Sequence, residues 1–271
     1  MSRIESIFGR PGRKALIPYV TAGYPSVEAT LKVVPLLARS GCDIIELGIP
    51  FSDPLADGAT IQKASFGALS NGVTPQLCLE LARQLRREVD TPLLFMTYLN
   101  PVFSYGLEAF CAASAGAGVN GLIIPDLPLE ESSELEVVTQ RHGLDLICLL
   151  APTSTEERIR LVAERARGFI YLVSIAGVTG ARDSLSGSLE AFVGRVRKVA
   201  AQPLCIGFGI STPEQAAKVA RIADGVIVGS RVIQLMEAED DFKSLGTFVT
   251  ELRRALDEPG GEDNRSPVSD T

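Results

Sequence analysis

Eight short runs rich in Val, Ile and Leu recur along the chain, at 15–22, 43–48, 92–98, 121–125, 145–150, 169–174, 203–207 and 225–228. Within each run hydrophobicity is continuous rather than alternating, which predicts strands covered on both faces, as in parallel sheets. Amphipathic stretches with helix signals separate them. Ser26 is an N-cap candidate for a helix over 27–38, with Gly41 as its stop, and Thr74-Pro75 opens one over 75–88. Ser154 and Glu157 can form a capping box before a helix over 158–167, which Gly168 ends. Ser211, Pro213 and Glu214 open another, running to Arg221. Segments 107–115, 130–141, 189–201 and 240–256 complete the helical set.

Parallel strands joined through helices take right-handed crossovers, and eight such repeats predict a closed (β/α)8 TIM barrel, with a doubly wound open sheet as the rival. The expected organisation is a single catalytic domain over residues 1–257. It carries an extra N-terminal helix at 4–8 and extended loops after strand 2 (51–73, with a short helix at 60–69) and strand 6 (175–188). The remainder, 258–271, reads as a disordered acidic tail. Five acids and a single Arg265 from Asp257 onward carry much of the net charge of −7. The mildly acidic body therefore gives no reason to expect a nucleic-acid partner. No apolar run has the length of a membrane span, and the first residues are too charged for a signal peptide. Five scattered cysteines without ligand spacing read as reduced thiols of a cytoplasmic protein.

In a barrel of this kind chemistry sits on the loops that follow the strands. Strand 2 carries Glu46 inside an apolar run, in phase with Ile44 and Gly48. If that face points inward, desolvation raises the carboxyl pKa and suits it to proton transfer. A structural Glu paired with a buried base is the alternative. Asp57, in the following loop, is either a second substrate-facing carboxylate or a plain helix cap. Strands 7 and 8 end in Gly207-Phe208-Gly209-Ile210-Ser211 and Gly229-Ser230-Arg231, where backbone amides and a helix start at 232–236 could hold a phosphate. Gly180, in the strand 6 loop, could close over it.

None of the lysines, at 14, 32, 63, 198, 218 and 243, stands at a strand end, which argues against Schiff-base chemistry. The sole histidine, His142, precedes strand 5 on the opposite face, which argues against a zinc aldolase. No P-loop is present. Carboxylate acid–base chemistry on a phosphorylated small molecule is what remains.

The stretch from Glu46 to Gly58, ELGIPFSDPLADG, resembles the signature of the tryptophan synthase alpha chain family. Resemblance continues in order through Pro18–Gly23, Tyr98-Leu99-Asn100-Pro101, Gly121–Pro128, Tyr171–Ser174, Gly177–Gly180, Gly207–Ser211 and Gly229-Ser230. It implies a lyase that splits indole-3-glycerol phosphate into indole and glyceraldehyde 3-phosphate. It further implies Glu46 as general acid/base, Asp57 on the indole N–H, Tyr171 beside Glu46 and Phe208 in the indole pocket. By the same resemblance Gly180, Gly209, Gly229 and Ser230 would bind phosphate, and Thr179 would meet Asp57 when the strand 6 loop closes. Asp53, Pro54 and Asn100 would face a beta chain in an α2β2 heterotetramer. No metal or cofactor is implied here; pyridoxal phosphate would belong to the beta chain.

Tyr24 and Asn120 depart from the family pattern, which has an acid at each place in many members. A phosphosugar isomerase is disfavoured because Thr21-Ala22-Gly23 and Leu150-Ala151-Pro152 put no acid at the ends of strands 1 and 5. A stand-alone indole-releasing lyase and a non-catalytic activator of a beta chain stay open.

Overall fold

The computed structural model describes residues 1–173, 182–207 and 209–258, with 182–186 as backbone alone. The elements run β1 (Ala15–Thr21), α1 (Val27–Arg39), β2 (Ile45–Gly48), α2 (Ala59–Ser70), α3 (Pro75–Leu85), β3 (Leu93–Met96), α4 (Leu99–Tyr105), α5 (Leu107–Gly116) and β4 (Gly121–Ile123). They continue with α6 (Ser133–Arg141), β5 (Asp145–Leu150), α7 (Glu156–Arg165), β6 (Ile170–Val173), α8 (Arg182–Arg197), β7 (Leu204–Gly207), α9 (Pro213–Ala220), β8 (Gly225–Val228), α10 (Ser230–Ala238) and α11 (Lys243–Asp257). The strands close in sequence order into a single barrel, and β1 pairs in parallel with both β2 and β8. That closure rules out the open sheet.

Strand alternation divides the core. Ala15, Ile17, Leu94, Ile123, Ile147, Tyr171, Cys205 and Ile227 come from seven strands and, with Ile44 at the entrance to β2, form one cluster, which is the barrel interior. Their neighbours, such as Leu16, Ile45, Leu47 and Phe95, pack outward against the helices. Ile4, fully buried, joins the interior cluster and plugs the lower end. The expected extra N-terminal helix follows it as a 3-10 helix, Glu5–Gly9.

Capping explains most of the boundary differences. Ser26 and Thr74 cap α1 and α3 as expected, accepting from the backbone N–H of Ala29 and Leu77. Thr155, not Ser154, caps α7; the Ser154 hydroxyl accepts from Ala151 N instead. Thr212 likewise replaces Ser211 at the start of α9. The segment 130–141 breaks at Ser132 into a 3-10 turn, Leu129–Glu131, and α6. Helix α4 was not among the helices expected from the sequence. Pro101 stands in its first turn, where a missing N–H is harmless, and the Asp126 carboxylate accepts from Leu99 N at the helix start. Helix α8 begins at Arg182, so residues 182–188 are helical rather than part of the strand 6 loop.

Among the described residues no helix is long and apolar enough to cross a membrane, and the five cysteines are free thiols. Tyr24 donates to Glu237 Oε1 at 2.7 Å and lies against Gly67, so it ties the β1 loop to α10 and α2. Asn120 Oδ1 accepts from Leu93 N at 3.1 Å and lies 3.5 Å from Arg86 Nη2, whose Nε has no partner. A carboxylate there would pair with that half-buried guanidinium. Asn120→Asp is therefore expected to stabilise the barrel by about 1 kcal/mol, read as a rise of a few degrees in Tm on thermal unfolding. An unchanged or lower Tm would refute the pairing.

Candidate active site

Glu46 is the centre. In phase with Ile44 it points into the barrel, and it is 0% exposed. Neither carboxylate oxygen has a hydrogen-bond or ion-pair partner among the described residues, which speaks against the structural ion-pair alternative. Burial alone pushes its pKa up to about 8.

Two tyrosines flank it. Tyr19 on β1 is in register with Glu46 on β2, and its hydroxyl lies 3.2 Å from Thr21 Oγ1. Tyr171 on β6 is buried, and its phenol is raised first by burial and then by the Glu46 charge. Both tyrosines need glycine neighbours. A Cβ at Gly48 would sit 2.0 Å from the Tyr19 hydroxyl oxygen, and one at Gly207 would sit 2.3 Å from that of Tyr171. Gly207 thus makes room for the Tyr171 ring. Tyr19 was visible within the Pro18–Gly23 motif, but nothing in the sequence placed it against Glu46.

Asp57 comes back toward the mouth from the β2 loop. It does not cap α2, whose N-cap is Gly58 with no side-chain bond. The Tyr98 hydroxyl accepts from Ala56 N at 3.0 Å and lies close enough to the Asp57 carboxylate to favour its charged form. Tyr98 stacks on Phe51 with centroids 5.2 Å apart, which fixes the ring beneath the loop. Burial raises the Asp57 pKa to about 6, against the lowering effect of the Tyr98 hydroxyl. Tyr98, a member of the Tyr98–Pro101 motif, is a second residue whose role the sequence concealed.

At the ends of β7 and β8, Gly209 takes a left-handed φ of 78° and Gly229 is the N-cap of α10. Ser230 is exposed in the first turn of α10, whose leading N–H groups have no partner within the helix. The expected anion cradle has its parts in adjacent strands. Phe208, Thr179 and Gly180 lie outside the described residues. A cavity of about 450 Å³ opens at the mouth between Ala56, Met96, Ile124, Leu149, Tyr171 and Val173. Its wall is mostly apolar, as suits an aromatic ring.

Of the expected partner-facing residues, Asp53 and Asn100 are exposed. Pro54 is not; it is buried under its own loop, and the neighbouring Leu55, 92% exposed, takes the outward place. Phe103, one turn after Asn100 on α4, is 54% exposed. Two large apolar side chains therefore accompany the polar pair.

Residues 8–257 match the family model described as tryptophan synthase alpha chain. The tryptophan synthase alpha chain of Dehalococcoides mccartyi is 56% identical over 257 residues, covering 95% of this chain and 100% of that relative. The crystal structure of the alpha chain from Legionella pneumophila superposes with a TM-score of 0.89 at 38% identity, covering 97% of this chain and 100% of that one. A chain of tryptophan synthase from Mycobacterium tuberculosis gives 0.87 at 39% identity, covering 95% and 99%. With the site geometry and these matches together, the chain belongs to the tryptophan synthase alpha chain family, the lyase subunit of tryptophan biosynthesis.

Proposed function

We propose that the chain cleaves indole-3-glycerol phosphate to indole and glyceraldehyde 3-phosphate, with Glu46 and Asp57 in different protonation states. The observation that carries this reading is the separation of the two carboxyls, near 8 and near 6, by their surroundings. At neutral pH Glu46 holds its proton and Asp57 has lost its own. Glu46 gives its proton to indole C3, and positive charge develops on the ring nitrogen. Asp57, accepting from the ring N–H, stabilises that charge. The C3–glycerol bond then breaks as the glycerol hydroxyl loses its proton to the Glu46 carboxylate, leaving the aldehyde, neutral indole and a reprotonated Glu46. Tyr171 packs beside Glu46, and Phe208 lines the ring pocket. Gly180, Gly209, Gly229 and Ser230 hold the phosphate, and Thr179 meets Asp57 on loop closure. No metal or cofactor takes part on this chain.

The partner is a beta chain carrying pyridoxal phosphate, in an α2β2 heterotetramer in the cytoplasm. Leu55 and Phe103, exposed beside Asp53 and Asn100, favour that assembly over a stand-alone lyase, because a paired apolar group on a polar rim is what a docking surface offers. The direct test is indole release from indole-3-glycerol phosphate with and without an added beta chain. Lyase turnover supports the reading; partner activation without turnover would replace it with the activator role.

The two pKa values also predict a bell-shaped pH profile of kcat/KM. Rate rises as Asp57 ionises near 6 and falls as Glu46 loses its proton near 8. The Tyr98 hydroxyl lowers the Asp57 pKa, so Tyr98→Phe should move the acid limb to higher pH and leave the alkaline limb in place. An acid limb that does not move would dissociate Tyr98 from Asp57.

A further inference from the structure

Above Ile123 and Ile147 the closed barrel carries no ladder between β4 and β5. Their pairing ends at Ile123 opposite Ile147, yet β5 continues to Leu150, pairing there only with β6. Beyond Ile123 the chain turns away through a bond from Leu127 N to Ile124 O. Among the described residues no backbone bond crosses this seam beyond Ile147. Part of Cys148–Leu150 therefore turns its peptide groups toward the gap.

The mouth cavity runs through that gap. Ile147 and Leu149 on the inner face of β5 line it, and so do Cys148 and Leu150 on the outer face. Its outer lobe lies between β5, the 3-10 turn at Leu129 and helix α7, where Val162 closes it. Most of the polar groups around that lobe are already engaged. Ser132 Oγ bonds Leu129 O at 2.8 Å and Glu136 at 2.6 Å, and the Ser154 and Thr155 hydroxyls accept from backbone amides. Arg158 is neutralised by both oxygens of Glu130, at 2.9 and 2.8 Å. An anion would find no free cation there, and a strongly polar ligand would lose its water without replacement. A neutral ring with one N–H suits the lobe, because the open strand edge supplies carbonyls.

We propose that this outer lobe is a second binding place for a neutral aromatic molecule of about indole's size, entered from the mouth through the open β4–β5 seam. The choice of ligand rests on the proposed lyase reading, since Ala56, next to Asp57, and Tyr171, next to Glu46, line the inner end of the same cavity.

The probe is 5-bromoindole added to the full chain. Crystals soaked in it should give an anomalous bromine peak between β5 and α7, and calorimetric titration should find two equivalents bound. Val162→Phe and, separately, Leu129→Phe fill the lobe from opposite sides; either one, if folded by circular dichroism, should weaken the second equivalent by about tenfold or more. A bromine peak only above Glu46, a single equivalent in solution, or two equivalents retained in both variants would overturn the proposal. The lyase assay is a separate readout. Turnover without outer-lobe binding sinks this proposal alone, and outer-lobe binding without turnover sinks the lyase reading alone.

Discussion

Glu46→Gln is expected to abolish indole formation while the barrel survives. One group is asked to protonate C3 and to take the hydroxyl proton. General acid–base catalysis by a positioned side chain contributes about 10²–10⁴-fold for one transfer, so losing both should take kcat below that range. Glutamine keeps the shape but can neither give nor take the proton. Survival of the fold follows from the protonation state: at neutral pH the native side chain is a neutral acid without an ion-pair partner, so no buried charge is orphaned.

The same substitution has a thermodynamic signature. The folded pKa, about 8, lies well above the 4.5 of an ordinary glutamate. Between those values the native state holds a proton that the unfolded chain has released, so wild-type stability falls as pH rises through that window and levels off above it. Burial of a carboxyl this far from its ordinary pKa corresponds to a loss on the order of several kcal/mol. Glu46→Gln removes this slope. Tm measured from pH 5 to pH 9 should decline less steeply in the variant than in wild type. A variant that releases indole at a near wild-type rate would remove Glu46 from the chemistry, and parallel Tm curves would deny its raised pKa.

Strand identity was legible because burial on both faces of a parallel strand leaves a continuous apolar run, as in Asp145–Leu150 and Gly225–Val228, whose ends match. Glu46 stood out because it interrupts such a run. Caps were harder. Ser154 and Thr155, or Ser211 and Thr212, are neighbours of equal capping chemistry, and only the path of the loop decides between them. The tyrosines around the site were hidden for a different reason. Tyr19 meets Glu46 through the β1–β2 register, and Tyr98 meets Asp57 through a loop returning from β2. Neither contact is local in sequence. The outward turn of Leu55 in place of Pro54 is likewise a matter of loop conformation, which a Pro-punctuated stretch leaves undetermined.

Asp57→Asn should lower kcat by about 10²–10³-fold, the usual loss on removing one preorganised electrostatic stabiliser (about 2.7–4 kcal/mol). KM should change little. Asparagine Oδ1 still accepts from the ring N–H, so ground-state binding is retained. What disappears is the negative charge facing the cation that forms on protonation of C3, and that charge counts only in the transition state. Asp57→Ala removes the acceptor as well and should raise KM in addition. The acid limb near 6 should vanish from the profile of either variant, because it reports ionisation of this carboxyl. A variant in which KM rises while kcat holds would make Asp57 a binding residue only. A persistent acid limb would assign that limb to another group, leaving Glu46 to work without a partner carboxylate.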